Sequence, residues 1–371
     1  MAKAKPAAPA LIPRAVLFGN PTKASPRLAP DGTRMAYLAP VDNVLNVWVG
    51  PIDGSNYQPV THDTDRGIRV YRWAEDNQHI LYLQDVGGNE NWRLYAVHLD
   101  SGTIRDLTPF DNVQAQLIAH DKRFPSALLV GLNKDNPQVH DAYRLDLVSG
   151  ELTQVAQNPG TFMAWLADAE LKVRGALAAT PDGGTVLLVR PDESADWQKL
   201  VTWDPDNSAS SEPLAFTGDG KGLYLQDSRD ANAARLVRLD LAKNKIKVLA
   251  ADPQYDMGSV LIDPDTHAIQ MVSFNRARQE WVVLDQTIAD DIAAIRTLHP
   301  GDFSIVSRDH ADTTWLVAFV ADNGPLAYYR FDRASHQGTF LFDNQPELAQ
   351  YPLAAVEPIS FPSRDGLTIH G

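Results

Sequence analysis

The sequence contains no cysteine among its 371 residues, which excludes disulfide bonds, thiolate metal sites and cysteine nucleophiles. It also lacks any apolar run near the ~18 residues that a membrane-spanning helix requires. Alanine and proline dominate residues 1–10 and interrupt the continuous apolar stretch that a signal peptide needs. These absences favour a reducing compartment, and we expect a soluble protein of the cytoplasm.

Positive charge is also scarce, since 33 Lys and Arg stand against 47 Asp and Glu, for a net charge of -14. No basic stripe offsets this excess, so we expect neither nucleic acid nor an anionic membrane as a partner. The ten histidines form no H-E-x-x-H pattern. Residues Asp204–Asn207 begin like a calcium loop but lack its glycine and terminal glutamate. We therefore expect no metal and no cofactor.

Short runs of leucine, β-branched and aromatic residues recur along the chain, with Gly, Asp, Asn and Pro between them. They lack the 3.6-residue period of helices and are apolar on both faces, as strands between neighbouring sheets are. The seven runs are Met35–Leu38, Ile80–Leu83, Ala127–Val130, Thr185–Val189, Gly222–Leu225, Ile269–Val272 and Trp315–Phe319. Most follow a polar turn, which is typical of hairpins.

The runs belong to a unit of four strands that returns roughly every 40 to 50 residues. Seven such units fill residues 22–343 and predict an all-β fold, a seven-bladed β-propeller of four-stranded blades. A pair of β-sandwiches also gives strands at regular spacing and is the alternative. We favour the propeller because the same strand order returns so often, and because one blade cannot bury both its faces alone.

Two units depart from this order. In the fourth unit, the turn Pro181–Gly184 is expected to join the second and third strands, with Trp197–Trp203 as the outer strand. In the sixth unit, Thr287–Ala294 is expected to form one or two helical turns before the outer strand.

Five motifs stand in a specific order along the chain, namely Ser25–Gly32, Gly88–Tyr95, Arg105–Pro109, His140–Asp146 and Ser363–Leu367. Together they resemble the N-terminal propeller of the prolyl oligopeptidase family of serine peptidases, in the branch of acylaminoacyl peptidases and bacterial dipeptidyl or oligopeptidases. The resemblance covers nearly everything from Ala24 onward.

The resemblance implies three regions. Residues 1–21 are expected to form a flexible N-terminal segment, and 22–343 the propeller. Residues 344–371 are expected to be a linker and the first strand of an α/β-hydrolase domain that is missing here. In the family that domain carries the catalytic Ser, Asp and His. Because the sequence has no G-x-S-x-G nucleophile elbow, we assign no catalytic residue and expect no peptidase activity from this chain alone.

The resemblance also implies a role. The propeller is expected to select peptide substrates and to control their access to the hydrolase domain, its partner. One alternative is a free-standing propeller that acts as an interaction scaffold for proteins or peptides. Another is a propeller that is itself a hydrolase or lyase with carboxylates in its channel. The sequence does not fix the oligomeric state.

The best candidate site is the loop that contains Glu90, Asn91 and Arg93. A glutamate and an arginine on one short loop suit the amino terminus and a carbonyl or carboxylate of a peptide, through charge-assisted hydrogen bonds. Related dipeptidyl peptidases grip the amino group with paired glutamates, a motif that this sequence lacks. Arg174 lies among apolar neighbours and is a second candidate. For both sites the structural alternative is an ion pair.

Overall fold

The structure, a computed structural model, describes residues 11–371, and these form a seven-bladed β-propeller of antiparallel sheets. Each blade runs strand by strand from its first to its last strand in chain order. The chain divides into two compact units. The first contains the described residues up to Leu28, with Gly32–Thr64 and Asp290–Gly371, and the second contains Ala29–Asp31 and Asp65–Ala289.

The first unit holds blades 1 and 7. The strands of blade 1 are Ala24–Leu28, Arg34–Val41, Val44–Pro51 and Gln58–Pro59. The strands of blade 7 are Asp302–Arg308, Thr314–Val320, Ala327–Asp332 and Gln337–Asp343. The two sheets pack together, because Leu28 and Tyr37 of blade 1 share a buried cluster with Leu316 of blade 7.

The second unit holds blades 2 to 6. Blade 2 has strands Val70–Trp73, His79–Gln84, Arg93–His98 and Ile104–Asp106, and blade 3 has Ala115–Ala119, Ala127–Leu132, Asp141–Asp146 and Leu152–Ala156. Blade 4 has Phe162–Ala167, Val173–Ala179, Thr185–Val189 and Gln198–Trp203, and blade 5 has Glu212–Phe216, Gly222–Asp227, Arg235–Asp240 and Lys245–Ala250. Blade 6 has Met257–Ile262, Ile269–Asn275 and Gln279–Val283, and the short helix Pro205–Ser208 lies between blades 4 and 5 in the chain.

The predicted strands are confirmed, since all seven apolar runs lie in strands. They are apolar on both faces because a strand between two sheets packs on both, as blade 3 does between blades 2 and 4. In blade 3, five of the six residues of Ala127–Leu132 are buried. Leu128 and Val130 belong to one buried cluster, together with Leu81 and Leu94 of blade 2. Leu129 points to the other face and packs with Val173 of blade 4.

The turn Pro181–Gly184 joins the second and third strands of blade 4, as predicted. Gly183 has a φ of 92°, a value that suits glycine. A Cβ atom on Gly184 would lie 2.3 Å from the carbonyl oxygen of Trp203, so this position has no room for a side chain. The glycine pair therefore lies against the end of the outer strand, whose last residue, Trp203, pairs with Thr185.

The sixth unit differs from the prediction in one respect. A 3-10 helix, Gln286–Ile288, and an α-helix, Ala289–Ile295, follow the third strand, as the sequence indicates. No fourth strand joins the sheet of blade 6 among the described residues, so this sheet has three strands. Within the first unit, the helix is held by Arg333 of blade 7, whose Nε donates to Asp291 at 2.9 Å. The helix takes the chain position of the fourth strand.

The expected N-terminal segment, residues 1–21, is described only in part. Residues 1–10 lie outside the described residues. Within the rest, Arg14–Phe18 forms a short helix, and the carbonyl oxygen of Val16 accepts a hydrogen bond from Gln345 at 3.3 Å. This helix therefore contacts the segment that follows blade 7, and the flexibility of the segment stays a prediction.

The region 344–371 also contains more structure than a linker and one strand. It begins with a 3-10 helix, Pro346–Gln350, and continues to two short antiparallel strands, Ser360–Pro362 and Thr368–His370. The sequence suggested one strand here, but Asp365 and Gly366 lie in a turn, and Gly366 has a φ of 88°. The motif therefore folds back as a hairpin.

Candidate functional site

The Glu90 loop, residues 85–92, joins the second and third strands of blade 2, and its backbone is fixed from both sides. The Glu90 N–H donates to the buried carboxylate of Asp85 at 3.1 Å. Its carbonyl oxygen accepts from Nε2 of Gln114 at 3.0 Å. Glu90 itself has a φ of 59°, which is rare for a residue with a side chain. These contacts hold a strained residue in place on an exposed loop.

Asp85 is supported in turn by Arg66, whose Nε lies 3.5 Å from its Oδ1. The Arg66 guanidinium packs against Gly88, where a Cβ would lie 3.3 Å from its Cζ. Gly88 has a φ of 80°, so both its conformation and this close approach favour glycine. The loop is thus built around the buried carboxylate of Asp85 and its partly exposed partner Arg66.

Glu90 differs from the other candidates because its side chain is exposed and makes no ion pair among residues 11–371. Asn91, its neighbour, is half-buried, and its N–H donates to Oδ1 of Asn89 at 3.1 Å. A carboxylate on a fixed backbone, open to solvent, is suited to bind a cation such as an ammonium group.

Arg93 is already paired within blade 2. Its Nη1 donates to Asp106 at 3.2 Å and its Nη2 to Asp111 at 2.8 Å. Burial lowers the pKa of Arg93, but the two carboxylates outweigh it and raise the pKa above its usual range. The guanidinium therefore anchors the start of the third strand, and its predicted contact with a substrate stays a prediction.

Arg174 lies at the opposite end of the blades from the Glu90 loop. Its Nη1 donates to Oδ2 of Asp168 and to the carbonyl oxygen of Gly220, both at 3.1 Å. Asp168 and Gly220 lie between the first and second strands of blades 4 and 5. Consecutive turns of a meander alternate between the two ends of a blade, so the structure does not bring Arg174 together with Glu90.

A cleft of about 520 Å³ opens at the same end as the Glu90 loop, between the first strands of blades 3 and 4. Its walls combine polar and apolar side chains. They include Gln116, Gln138, His140, Phe162, Met163 and Trp165. Met163 is 60% exposed, which is high for a large apolar side chain and leaves it open to a ligand.

His140 is the polar group of this cleft with unused bonding capacity. Its Nε2 is buried and has no hydrogen-bond partner among the described residues. Its carbonyl oxygen accepts from Nε1 of Trp165 at 2.8 Å, which fixes the backbone at this point. Burial lowers the pKa of His140, so the neutral imidazole is favoured at neutral pH. A neutral ring can exchange a hydrogen bond with a peptide group.

Two glutamines connect the cleft to the Glu90 loop. Gln116 lines the cleft, and its Nε2 donates to Oε1 of Gln114 at 3.4 Å. Gln114 in turn donates to the carbonyl oxygen of Glu90. The backbone of Glu90 and the lining of the cleft are therefore joined by hydrogen bonds through two glutamine side chains.

The sequence indicated only part of this site. His140 was recognised only as the first residue of the motif His140–Asp146, and both it and Trp165 line the cleft. Gln114 and Gln116 gave no sequence signal besides their position at the start of an innermost strand, where a propeller faces its channel. The role of these two glutamines depends on distances between blades, and a single sequence does not show those distances.

Among residues 11–371, no group of three or more His, Cys, Asp or Glu side chains is placed to hold a metal ion. No helix in this part of the chain has the length and apolar character to cross a membrane.

Comparisons with known proteins identify relatives along nearly the whole chain. The chain is 40% identical over 360 residues to dipeptidyl aminopeptidase BIII of Pseudoxanthomonas mexicana, covering 97% of this chain and 52% of that protein. It is 27% identical over 375 residues to dipeptidyl peptidase family member 6 of Caenorhabditis elegans, covering 97% of this chain and 50% of that protein. No protein-family model matches the chain.

Among solved structures, one from work on two prolyl endopeptidases matches 95% of this chain and 54% of its own, with a TM-score of 0.65 and 12% identity. At this identity the match shows the fold alone. The chain spans about half the length of the curated relatives it matches.

Proposed function

We propose that this chain is the seven-bladed propeller of a peptidase of the prolyl oligopeptidase family, and that it selects and holds the peptides that such a peptidase cleaves. The observation that carries the proposal is the exposed carboxylate of Glu90, on a loop whose backbone is linked through Gln114 and Gln116 to a cleft of about 520 Å³. The relatives are named as dipeptidyl peptidases, and a dipeptidyl aminopeptidase acts at the amino end of a peptide. We propose that Glu90 binds the ammonium group at that end.

Binding a peptide and cleaving it require different chemical groups. Binding that positions the peptide lowers the entropic cost of reaction, whereas acyl transfer needs a nucleophile and oxyanion donors. We propose that these lie in an α/β-hydrolase domain, as part of the half of the relatives that this chain does not span. The hairpin supports a partner there, because Phe361, Leu367 and Ile369 are 51%, 63% and 39% exposed. The lack of cysteine supports our further proposal of a cytoplasmic location.

The cleft gives the first test, by nuclear magnetic resonance on the isotope-labelled chain. Titration with a short peptide that begins with an apolar residue is expected to shift the amide signals of Gln116, His140 and Met163. The variant Met163→Asp should weaken binding about tenfold, since it places a charge in the apolar part of the cleft.

Val148→Asp is the matched control, because Val148 is 71% exposed and lies on the third-to-fourth turn of blade 3, away from the cleft. It should leave the affinity unchanged. Equal affinity in both variants, or shifts confined to another surface, would contradict the proposed site. Binding of folded proteins without preference for short peptides would favour the scaffold alternative.

A further inference from the structure

The end of the blades opposite the Glu90 loop carries an unusual contact within the second unit. The loop 120–126 joins the first and second strands of blade 3, and the loop 263–268 does so in blade 6. Blades 4 and 5 separate these two blades in the chain, yet their loops touch. In a propeller the first strands are innermost, so this contact crosses the side that faces the central channel.

One ion pair and one histidine–carboxylate contact join the two loops. Nζ of Lys122 forms an ion pair with Oδ1 of Asp265, and Nε2 of His267 lies 3.5 Å from Oδ2 of Asp121. We name these four residues the blade 3–6 tether. The His267 and Asp121 side chains are 23% and 8% exposed, so water screens their contact less than it screens pairs on an open surface. In the ion pair, Lys122 is 22% exposed and Asp265 is 57% exposed.

Asp121 is the anchor of the tether, because its side chain is only 8% exposed and Arg123 holds it. Nε of Arg123 donates to Oδ1 of Asp121 at 2.9 Å, and Nη2 donates to Oδ2 at 3.1 Å. Arg123 also reaches the next blade, where Nη1 donates to Glu170 at 3.0 Å. The loop of blade 3 is thus bound to blade 4 and to blade 6.

The same layer continues from blade 4 through blade 5. Arg174 joins Asp168 of blade 4 to Gly220 of blade 5. A Cβ on Gly218 of blade 5 would lie 2.3 Å from the carbonyl oxygen of Thr266 in blade 6, so these two loops lie in direct contact. The loops of blades 3, 4, 5 and 6 therefore form a closed circuit that the tether completes.

From this circuit we infer that the blade 3–6 tether closes the space between the loops that join the first and second strands of blades 3 to 6, at the end opposite the Glu90 loop, and bars peptides from passing between these four blades there. The ion pair, the hydrogen bonds and the close approach described above make up the circuit itself. The consequence for peptides rests on the proposed function, and it makes the end with Glu90 and the cleft the route of entry. Arg174, a candidate for substrate contact in the sequence, serves in this circuit as a positioning residue.

Amide hydrogen exchange, read by mass spectrometry on the full chain, tests the tether without any peptide. Lys122→Glu puts a negative charge beside Asp265, and we expect exchange in both loops, 120–126 and 263–268, to rise about fivefold or more. The paired change of Lys122→Asp with Asp265→Lys reverses both charges and should restore slow exchange in both loops.

Lys172→Glu is the matched control, because Lys172 is exposed in the corresponding loop of blade 4 and has no ion pair among the described residues. It should leave both loops as in the wild type. The inference is overturned if Lys122→Glu accelerates only its own loop, or behaves like the control, or if the paired change fails to restore slow exchange. Since no peptide is present, these outcomes are independent of the proposed binding at Glu90.

Discussion

Replacing Leu187 by alanine is expected to lower the free energy of unfolding by about 2 to 5 kcal/mol. Leu187 is fully buried in the third strand of blade 4. It packs in a cluster with Val201 and Trp203 of its own blade and with Phe216 and Leu223 of blade 5. Because two sheets hold this cluster from both sides, the site cannot collapse around the missing methyl groups, and a cavity remains.

Guanidinium chloride unfolding measures this loss, with Val148→Ala as the control. Val148 is 71% exposed, so its truncation should change the free energy of unfolding by less than about 0.5 kcal/mol. Equal midpoints for Leu187→Ala and Val148→Ala would contradict the packing of blade 4 against blade 5.

Replacing Asp227 by alanine is expected to cost about 3 kcal/mol, since it leaves buried donors without an acceptor. The Asp227 side chain is 1% exposed. Its Oδ1 accepts from Nε1 of Trp203 at 2.9 Å and from Nε of Arg229 at 2.8 Å, and its Oδ2 accepts from Nη2 of Arg229 at 3.0 Å. The carboxylate thereby joins the outer strand of blade 4 to the second strand of blade 5.

The pH dependence gives this prediction a second readout. Burial raises the pKa of Asp227, but the hydrogen bonds from Arg229 and Trp203 outweigh burial and leave it below its usual range. A carboxyl group with a lowered pKa contributes stability above its unfolded pKa of about 3.9 and loses it as the pH falls through the folded value. The difference between wild type and Asp227→Ala should therefore be full at pH 6 and shrink as the pH falls below about 3.9.

Asp206→Ala is the control here, since Asp206 is an exposed residue of the short helix Pro205–Ser208. It should unfold like the wild type at every pH. A constant difference between the wild type and Asp227→Ala from pH 6 to pH 2 would show that the ionised carboxylate is not the source of the stability.

Much of the fold could be predicted from the sequence because a strand buried on both faces is a continuous apolar run in the sequence. The run Ala127–Val130 and the turn Pro181–Gly184 are examples, and both are confirmed. Two features could not be predicted this way. The helix Ala289–Ile295 was expected, but blade 6 has no fourth strand after it among the described residues, and the hairpin Ser360–His370 forms where one strand was expected. A short edge strand carries little apolar pattern, and the turn at Gly366 decides between one strand and two.

The candidate site was harder to predict because its parts come from different blades. Glu90 was recognisable as a charged residue on a glycine-rich loop. Its supports, Asp85 and Gln114, act through backbone groups that the sequence does not show. The blade 3–6 tether is harder still to predict, since Lys122 and Asp265 lie far apart in the sequence. Contacts of such separation depend on how the blades are arranged.

The most direct test of the account is a calorimetric comparison of one peptide with a free amino terminus and the same peptide acetylated. Both are titrated into the wild type, into Glu90→Gln and into the control Glu151→Gln, whose glutamate is exposed at the turn between the third and fourth strands of blade 3. A charge-assisted hydrogen bond of about 1.4 kcal/mol corresponds to a tenfold preference.

We expect the wild type and Glu151→Gln to bind the free peptide about tenfold more tightly than the acetylated one. Glu90→Gln should bind both peptides with the same low affinity. If Glu90→Gln retains the full preference, or if the wild type shows none, then Glu90 does not bind the peptide's amino terminus and the central claim is wrong.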